Sequence, residues 1–216
     1  GVTARTLTEG LFGVQPDALN DKLLIKPGFP SNWQFAKLAV PDISIDFKQT
    51  ANTTSYTIIQ SYSKVLNTAL QLNAVKDKVA AVTVNGKPAK WQWVQNVIGQ
   101  PSITIRLGKE KKYSVQVNWA GASIEDINLK SLDELYITNL SKKIGLSKAA
   151  VIGIEDTQKA FSKIDFTKNS VELVCGNGGE KNNYTVFIKL KQQDAVWKKP
   201  VTFKSVEWGG KIGRAS

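Results

Sequence analysis

Apolar and polar residues alternate along many short stretches of this chain of 216 residues, and this pattern restricts its fold more than any other feature. In residues 43–48, Ile43, Ile45 and Phe47 fall on one face, and polar residues fall on the other. Such alternation is typical of a strand with one buried and one solvated face. Residues 53–60 are rich in β-branched and aromatic side chains, which also favours a strand.

Turn-forming residues separate these stretches at short intervals. Asn85-Gly86 predicts a hairpin, because both residues accept a positive φ, and residues 88–94 form its predicted return strand. Residues 102–107 and 113–119 form a second predicted hairpin. The roughly eight or nine closely spaced strands of this kind predict an antiparallel β-sandwich.

The pattern changes after Gly121, so we predict two domains. Residues 1–121 form the sandwich, and residues 122–216 form a smaller β-rich unit of unknown role with one or two short helices. Ser131 and Glu134 have the spacing of a capping box, which predicts a helix at about 131–142. Strand patterns return at 149–154, 161–166, 170–175, 184–190 and 201–208. The predicted fold class is mainly β.

Missing residue types limit the chemistry of this chain. It has no His, so it has neither a Ser-His-Asp or Cys-His nucleophile system nor an imidazole metal ligand. Its single Cys, Cys175, cannot form a CxxC site, and we expect it to be a buried apolar residue. Adjacent acidic residues diverge on a strand or a helix, so we interpret three such pairs as solvated. They are Glu125-Asp126, Asp133-Glu134 and Glu155-Asp156. We expect no catalytic residue, no metal site and no cofactor.

The chain also contains no Met, and we therefore expect it to be a piece of a longer protein. Any targeting signal would then lie upstream of Gly1, since the first residues lack the pattern of a signal peptide. No apolar run approaches the roughly 18 residues that suggest a membrane span, so we expect no membrane partner.

The net charge of +11 raises the question of a nucleic-acid partner. Lys accounts for 26 of the 29 basic residues, whereas nucleic-acid readers favour the planar guanidinium group of Arg. The Lys residues occur singly or in groups of two or three, which favours outward faces and strand edges. We expect no nucleic-acid partner, and a basic surface for nucleic acid or acidic polymers remains a third hypothesis.

Aromatic residues supply the candidate binding site. Trp91 and Trp93 share one face of a predicted strand and lie about 7 Å apart along it, a spacing that suits adjacent sugar units. The alternative is that both rings pack in the sandwich core. Trp33 follows a predicted type II turn at Pro27-Gly28 and either caps the sandwich or contacts substrate. The candidate carbohydrate-binding residues are Trp91, Trp93 and Trp33.

Three phrases in the first fifty residues resemble a known domain junction. They are TEGLFGVQPD at 8–17, LLIKPGFPSNW at 23–33 and LAVPDISIDF at 38–47. The order of these phrases is similar to the junction between the (α/α)6 barrel and the C-terminal β-sandwich of six-hairpin glycoside hydrolases. The α-L-rhamnosidase-like and cellobiose-phosphorylase-like enzymes have this arrangement. The resemblance covers roughly residues 5–120 and does not extend beyond 122.

The resemblance implies a non-catalytic C-terminal accessory domain of a bacterial glycoside hydrolase-like protein. The family's catalytic carboxylates lie on the barrel, so none of them maps to this sequence, and we expect the chain alone not to be an enzyme. Its expected partners are an upstream (α/α)6 barrel of the same protein and an oligosaccharide. We expect a periplasmic or extracellular location. The second hypothesis is a free-standing carbohydrate-binding module with a Trp platform.

Overall fold

The structure is a computed structural model, and the part of the chain that it describes comprises residues 5–125, 145–159, 161–165, 170–173 and 183–204. This part is mainly β, which confirms the predicted fold class. Its one helical segment is a short turn at Thr6–Leu11. The predicted helix at 131–142 and Cys175 lie outside the described residues. No helix within the described ranges is long and apolar enough to cross a membrane.

The chain divides into two compact units. The first comprises residues 1–95, 100–124 and 193–195, and the second comprises residues 96–99, 125–192 and 196–216. The strands that precede residue 125 are β1 (Val14–Asp17), β2 (Lys22–Ile25), β3 (Phe35–Val40), β4 (Ile43–Gln49), β5 (Thr53–Gln60), β6 (Asn67–Asn73), β7 (Lys76–Val84), β8 (Lys87–Pro88), β9 (Trp91–Trp93), β10 (Ser102–Gly108) and β11 (Lys112–Ser123). The later strands are β12 (Ala150–Glu155), β13 (Phe161–Asp165), β14 (Ser170–Leu173), β15 (Asn183–Gln192) and β16 (Ala195–Lys204). The roles predicted for residues 1–121 and 122–216 stay predictions.

Two sheets form the first unit. The first sheet has five strands in the order β1-β2-β6-β10-β9, and the second has six in the order β3-β4-β5-β11-β7-β8. Strands β2 and β6 pair in parallel, and the other described pairs of these sheets are antiparallel. One continuous hydrophobic core takes buried residues from both sheets, so the first unit is a β-sandwich.

Alternate residues of each central strand fill this core. Ile43, Ile45 and Phe47 of β4 are buried, as the two-residue period predicts. On the opposite sheet, Ile103 and Ile105 of β10 are completely buried. The intervening residues of these strands are therefore presented on the outer faces of the sandwich.

The predicted hairpin at Asn85-Gly86 is present, with positive φ values of 51° and 76° and β8 as the return strand. The predicted return strand at 88–94 is wrong in its extent. Only Lys87–Pro88 pairs with β7, and Trp91–Trp93 pairs instead with β10 of the other sheet. In the first sheet, Trp91 and Trp93 pack against the core.

The second predicted hairpin, between 102–107 and 113–119, is also wrong. Strand β10 lies in the first sheet and β11 in the second, so the turn between them carries the chain across the core. Gly108 has a φ of 83° and starts this turn. The hydroxyl of Tyr113 donates to the Gly108 carbonyl oxygen at 2.9 Å and accepts from the Glu110 backbone N–H at 2.7 Å. This arrangement is a tyrosine corner, and it fixes the crossing.

The second unit contains a three-stranded antiparallel sheet in the order β12-β15-β16 and a separate pair, β13-β14. Val186, Ile188 and Leu190 of β15 are buried on one face, which confirms the alternation read from the sequence. Trp197 of β16 is buried as well. These side chains form the core of the described part of this unit.

The carboxylate of Glu125 ties together the start of the second unit. It accepts hydrogen bonds from the backbone N–H groups of Ser147, Lys148 and Ala149, at 2.8, 2.9 and 2.9 Å, and from the Ser147 hydroxyl at 3.1 Å. Burial raises the pKa of Glu125, but these hydrogen bonds outweigh burial, so the pKa lies below its ordinary value of 4.5. The carboxylate is therefore held in its charged form.

We expect acid to loosen this contact. Because the folded-state pKa is below the unfolded value, the stabilisation is complete above about pH 4.5 and is lost as the pH falls through the folded pKa. The protection factors of the Ser147, Lys148 and Ala149 amides against hydrogen exchange, corrected for the intrinsic rate at each pH, should fall in that range, and Glu125→Gln should remove this pH dependence. The control Glu9→Gln, in the first unit, should behave as the wild type. Equal pH dependence in wild type and Glu125→Gln would contradict the assignment.

Candidate functional site

A ladder of aromatic rings leads from the core of the sandwich to its surface. The rings of Tyr56 and Phe47 lie 5.1 Å apart, and Phe47 and Phe29 are 4.7 Å apart. Phe29 then stacks on Trp33 at 5.9 Å with an angle of 18°, and Phe12 meets Phe29 edge-on at 5.1 Å. Burial raises the pKa of the Tyr56 hydroxyl well above its ordinary value, so the inner end stays neutral. The exposed end of the ladder is thus supported by packed rings.

Backbone contacts between two early segments position this ladder. The N–H of Lys26 donates to the Gly13 carbonyl oxygen, and the N–H of Gly28 donates to the Leu11 carbonyl oxygen, both at 2.9 Å. Gly13 has a φ of 62°, whereas Gly28 does not have a positive φ, so the predicted type II turn at Pro27-Gly28 is wrong. The backbone N–H of Trp33 donates to the Pro30 carbonyl oxygen at 3.0 Å, and this hydrogen bond closes the turn that presents Trp33. The first two of these contacts place the sequence phrases at 8–17 and 23–33 side by side.

An open, mainly apolar groove of about 640 Å³ lies beside the outer end of the ladder. Its walls are the helical turn Thr6–Leu11, Phe12 and residues 32–38, which lead into the edge strand β3. Phe35 is 76% exposed, Leu7 is 47% exposed and Trp33 is 37% exposed. A cluster of large apolar side chains in water marks an interaction surface. We call this surface the apolar groove.

The structure separates the three Trp residues predicted to bind carbohydrate. Trp33 lies in the apolar groove, whereas Trp91 and Trp93 lie on β9 at the edge of the other sheet. The rings of Trp91 and Trp93 are 5.9 Å apart at 84°, and both are half-buried against the core. Perpendicular rings do not form one flat platform. Sugar binding by these residues stays a prediction.

The acidic residues singled out in the sequence take structural contacts where they are described. Glu155 forms ion pairs with Lys189 and Lys198, and the effect of Lys198 exceeds that of burial, so the pKa of Glu155 is lowered. Glu125 makes the backbone contacts given above. Within the described ranges, no three His, Cys, Asp or Glu residues group in a way that could hold a metal ion.

Sequence reasoning did not identify the apolar groove. Phe35 begins a strand whose inward residues, Ala36 and Leu38, are smaller than the outward one. A strand usually places its large apolar side chains inward and its polar ones outward. The large Phe35 on the outward face of this strand was therefore the available signal of an exposed apolar surface. Comparison of the chain with protein-family models, with curated proteins and with solved structures gave no match.

Proposed function

We propose that the sandwich is a non-catalytic accessory domain that packs against a helical (α/α)6 catalytic barrel of the same bacterial glycoside hydrolase-like protein. The observation that carries this proposal is the apolar groove, because exposed Phe35, Leu7 and Trp33 would be buried in such a contact. In this proposal the chain itself performs no catalysis, and the protein is periplasmic or extracellular.

The construction of the groove supports docking of an adjoining domain. One wall is Thr6–Leu11, the segment through which the chain enters the sandwich, so a domain joined through this segment would start at the groove. The opposite wall rests on the aromatic ladder, which holds it in place before contact. A rigid surface loses little conformational entropy on docking. An apolar face of a helix or a helix pair fits an open groove of this kind.

The test uses the full-length product of the gene, in wild-type form and as Phe35→Asp. We expect the variant to release the sandwich region in limited proteolysis about tenfold faster, because a charge replaces an apolar contact at the interface. Phe35 is mostly exposed, so we expect the sandwich to stay folded in this variant. Circular dichroism of the isolated chain checks this point.

Leu19→Asp is the matched control, because Leu19 is 99% exposed and lies outside the groove. Limited proteolysis of this variant should release the sandwich region at the wild-type rate. Equal release of Phe35→Asp and wild type would overturn the proposal, and so would a full-length product without a helical barrel. Turnover of aryl glycosides by the chain alone would contradict its non-catalytic role.

A further inference from the structure

A second groove, of about 460 Å³, lies at one edge of the first sheet, where β9 pairs with β10. It is lined by Ala89, Lys90, Trp91, Gln92, Thr104 and Arg106. Gln92 lies directly opposite Thr104 in the register of these strands. Because Ile103 and Ile105 point into the core, Thr104 and Arg106 point outward. We call this surface the cationic groove.

The charge of the cationic groove is uncompensated by its own lining. Lys90 and Arg106 are both exposed, and none of the six lining residues is acidic. In the part of the chain that the structure describes, neither Lys90 nor Arg106 forms an ion pair. Elsewhere cations do find partners, since Arg5 contacts Glu9 at 2.9 Å and Lys109 contacts Asp21 at 2.7 Å.

Lys90 and Arg106 line the same groove, next to the last paired residues of β9 and β10. Trp91 pairs with Ile105, so one step along each strand leads to Lys90 and Arg106. Two cations that line the same groove repel each other. An anion bound between them would remove this repulsion and would gain charge-assisted hydrogen bonds. The local arrangement therefore favours a negatively charged ligand.

The other groups of the groove indicate what carries the negative charge. The Arg106 guanidinium group offers a planar pair of donors that matches a carboxylate. The Gln92 amide and the Thr104 hydroxyl can each donate to and accept from hydroxyl groups. Half-buried Trp91 adds an apolar border, and the volume falls within the range of about 300–1,000 Å³ that is typical of small-molecule sites. A bare inorganic anion would leave most of these groups unused.

We propose that the cationic groove binds an acidic sugar, a uronic acid residue of a glycan, with its carboxylate on Arg106 and Lys90. Gln92 and Thr104 bind the ring hydroxyls. The proposal does not depend on docking at the apolar groove, which lies along the edge of the other sheet. The proposed site is polar and lies beside Trp91, and it takes the place of the flat platform of Trp91 and Trp93 that the sequence suggested.

Calorimetric titration of the full chain with trigalacturonic acid tests this inference. The fully methyl-esterified trisaccharide has the same shape without charge, and inorganic phosphate has charge without a sugar. We expect the acid to bind at least about tenfold more tightly than either, because a charge-assisted pair contributes more than a neutral hydrogen bond. Its affinity should fall as the salt concentration rises.

Variants locate the site. Arg106→Gln should weaken trigalacturonic acid binding about tenfold or more. Arg5→Gln is the matched control, since Arg5 is an exposed Arg outside the groove, and it should leave binding unchanged. Absence of binding at millimolar acid, equal binding of the methyl ester or of phosphate, or unchanged binding by Arg106→Gln would each overturn the proposal.

Discussion

Gly13→Ala is expected to destabilise the sandwich by about 4 kcal/mol, the sum of backbone strain and a steric clash. Gly13 has a φ of 62°, which an L side chain rarely adopts. A Cβ atom at this position would overlap the backbone carbonyl group of Lys26. This group cannot move aside, because the backbone N–H of Lys26 donates a hydrogen bond to the Gly13 carbonyl oxygen. Urea denaturation followed by Trp fluorescence measures the free energy of unfolding.

Gly10→Ala is the control for this prediction. Gly10 lies three residues earlier in the same phrase, its φ is not positive, and nothing lies within 4 Å of an added Cβ atom. We expect the free energy of unfolding to change by less than about 0.5 kcal/mol. If Gly13→Ala were as stable as Gly10→Ala, Gly13 could not lie as close to the Lys26 backbone as the structure places it.

Gln60→Leu is expected to cost about 3 kcal/mol of unfolding free energy, because it strips partners from several buried backbone groups. The Gln60 side chain accepts from the Leu66 N–H at 2.9 Å and donates to the carbonyl oxygens of Leu66 at 2.9 Å and Glu110 at 2.7 Å. Gln60 is only 2% exposed, so water cannot replace these contacts without opening the core. Its amide also lies 3.2 Å from the Tyr113 hydroxyl, which links it to the tyrosine corner.

Gln116→Leu is the matched control for Gln60→Leu. Gln116 is exposed on β11 and its amide donates to Asn118 at 3.0 Å on the outer face. The same chemical change there should alter the free energy of unfolding by less than about 0.5 kcal/mol. Equal effects at the two positions would mean that the buried network does not support the crossing between the sheets.

The class of fold and the inward faces of the strands could be predicted from sequence. Burial alternates with the pleat of a strand, so Ile43, Ile45 and Phe47 identify a buried face without knowledge of any partner. The Asn85-Gly86 hairpin was also predictable, because its geometry depends on the φ values of two adjacent residues. These are local properties of the chain.

Strand partners were less predictable, because a turn reverses the chain without deciding which sheet receives it. The segment between β10 and β11 contains turn residues, as a hairpin would, but Tyr113 anchors it as a crossing between sheets. That contact depends on burial of the ring between both sheets. The alternation of buried and exposed residues cannot distinguish a hairpin from a crossing between sheets, because Ile105 and Tyr113 face inward in both cases.

The candidate sites depend on the same long-range information. Two Trp residues on one strand face can point inward or outward, and only the pairing of Trp91 with Ile105 decides the direction. Lys90 and Arg106 are distant in sequence, and they line one groove because β9 pairs with β10. The apolar groove likewise needs Leu7 and Phe35 to be brought together.

The parallel pairing of β2 with β6 has a consequence for the order of folding. Three strands of the other sheet, β3, β4 and β5, lie between these partners in sequence. The ribbon β1-β2 is too small to be stable alone, and its neighbour is synthesised only after those strands. During translation we therefore expect the meander β3-β4-β5 to form first and the initial ribbon to stay unprotected until β6 has emerged. Contacts of such high sequence separation also predict slow folding.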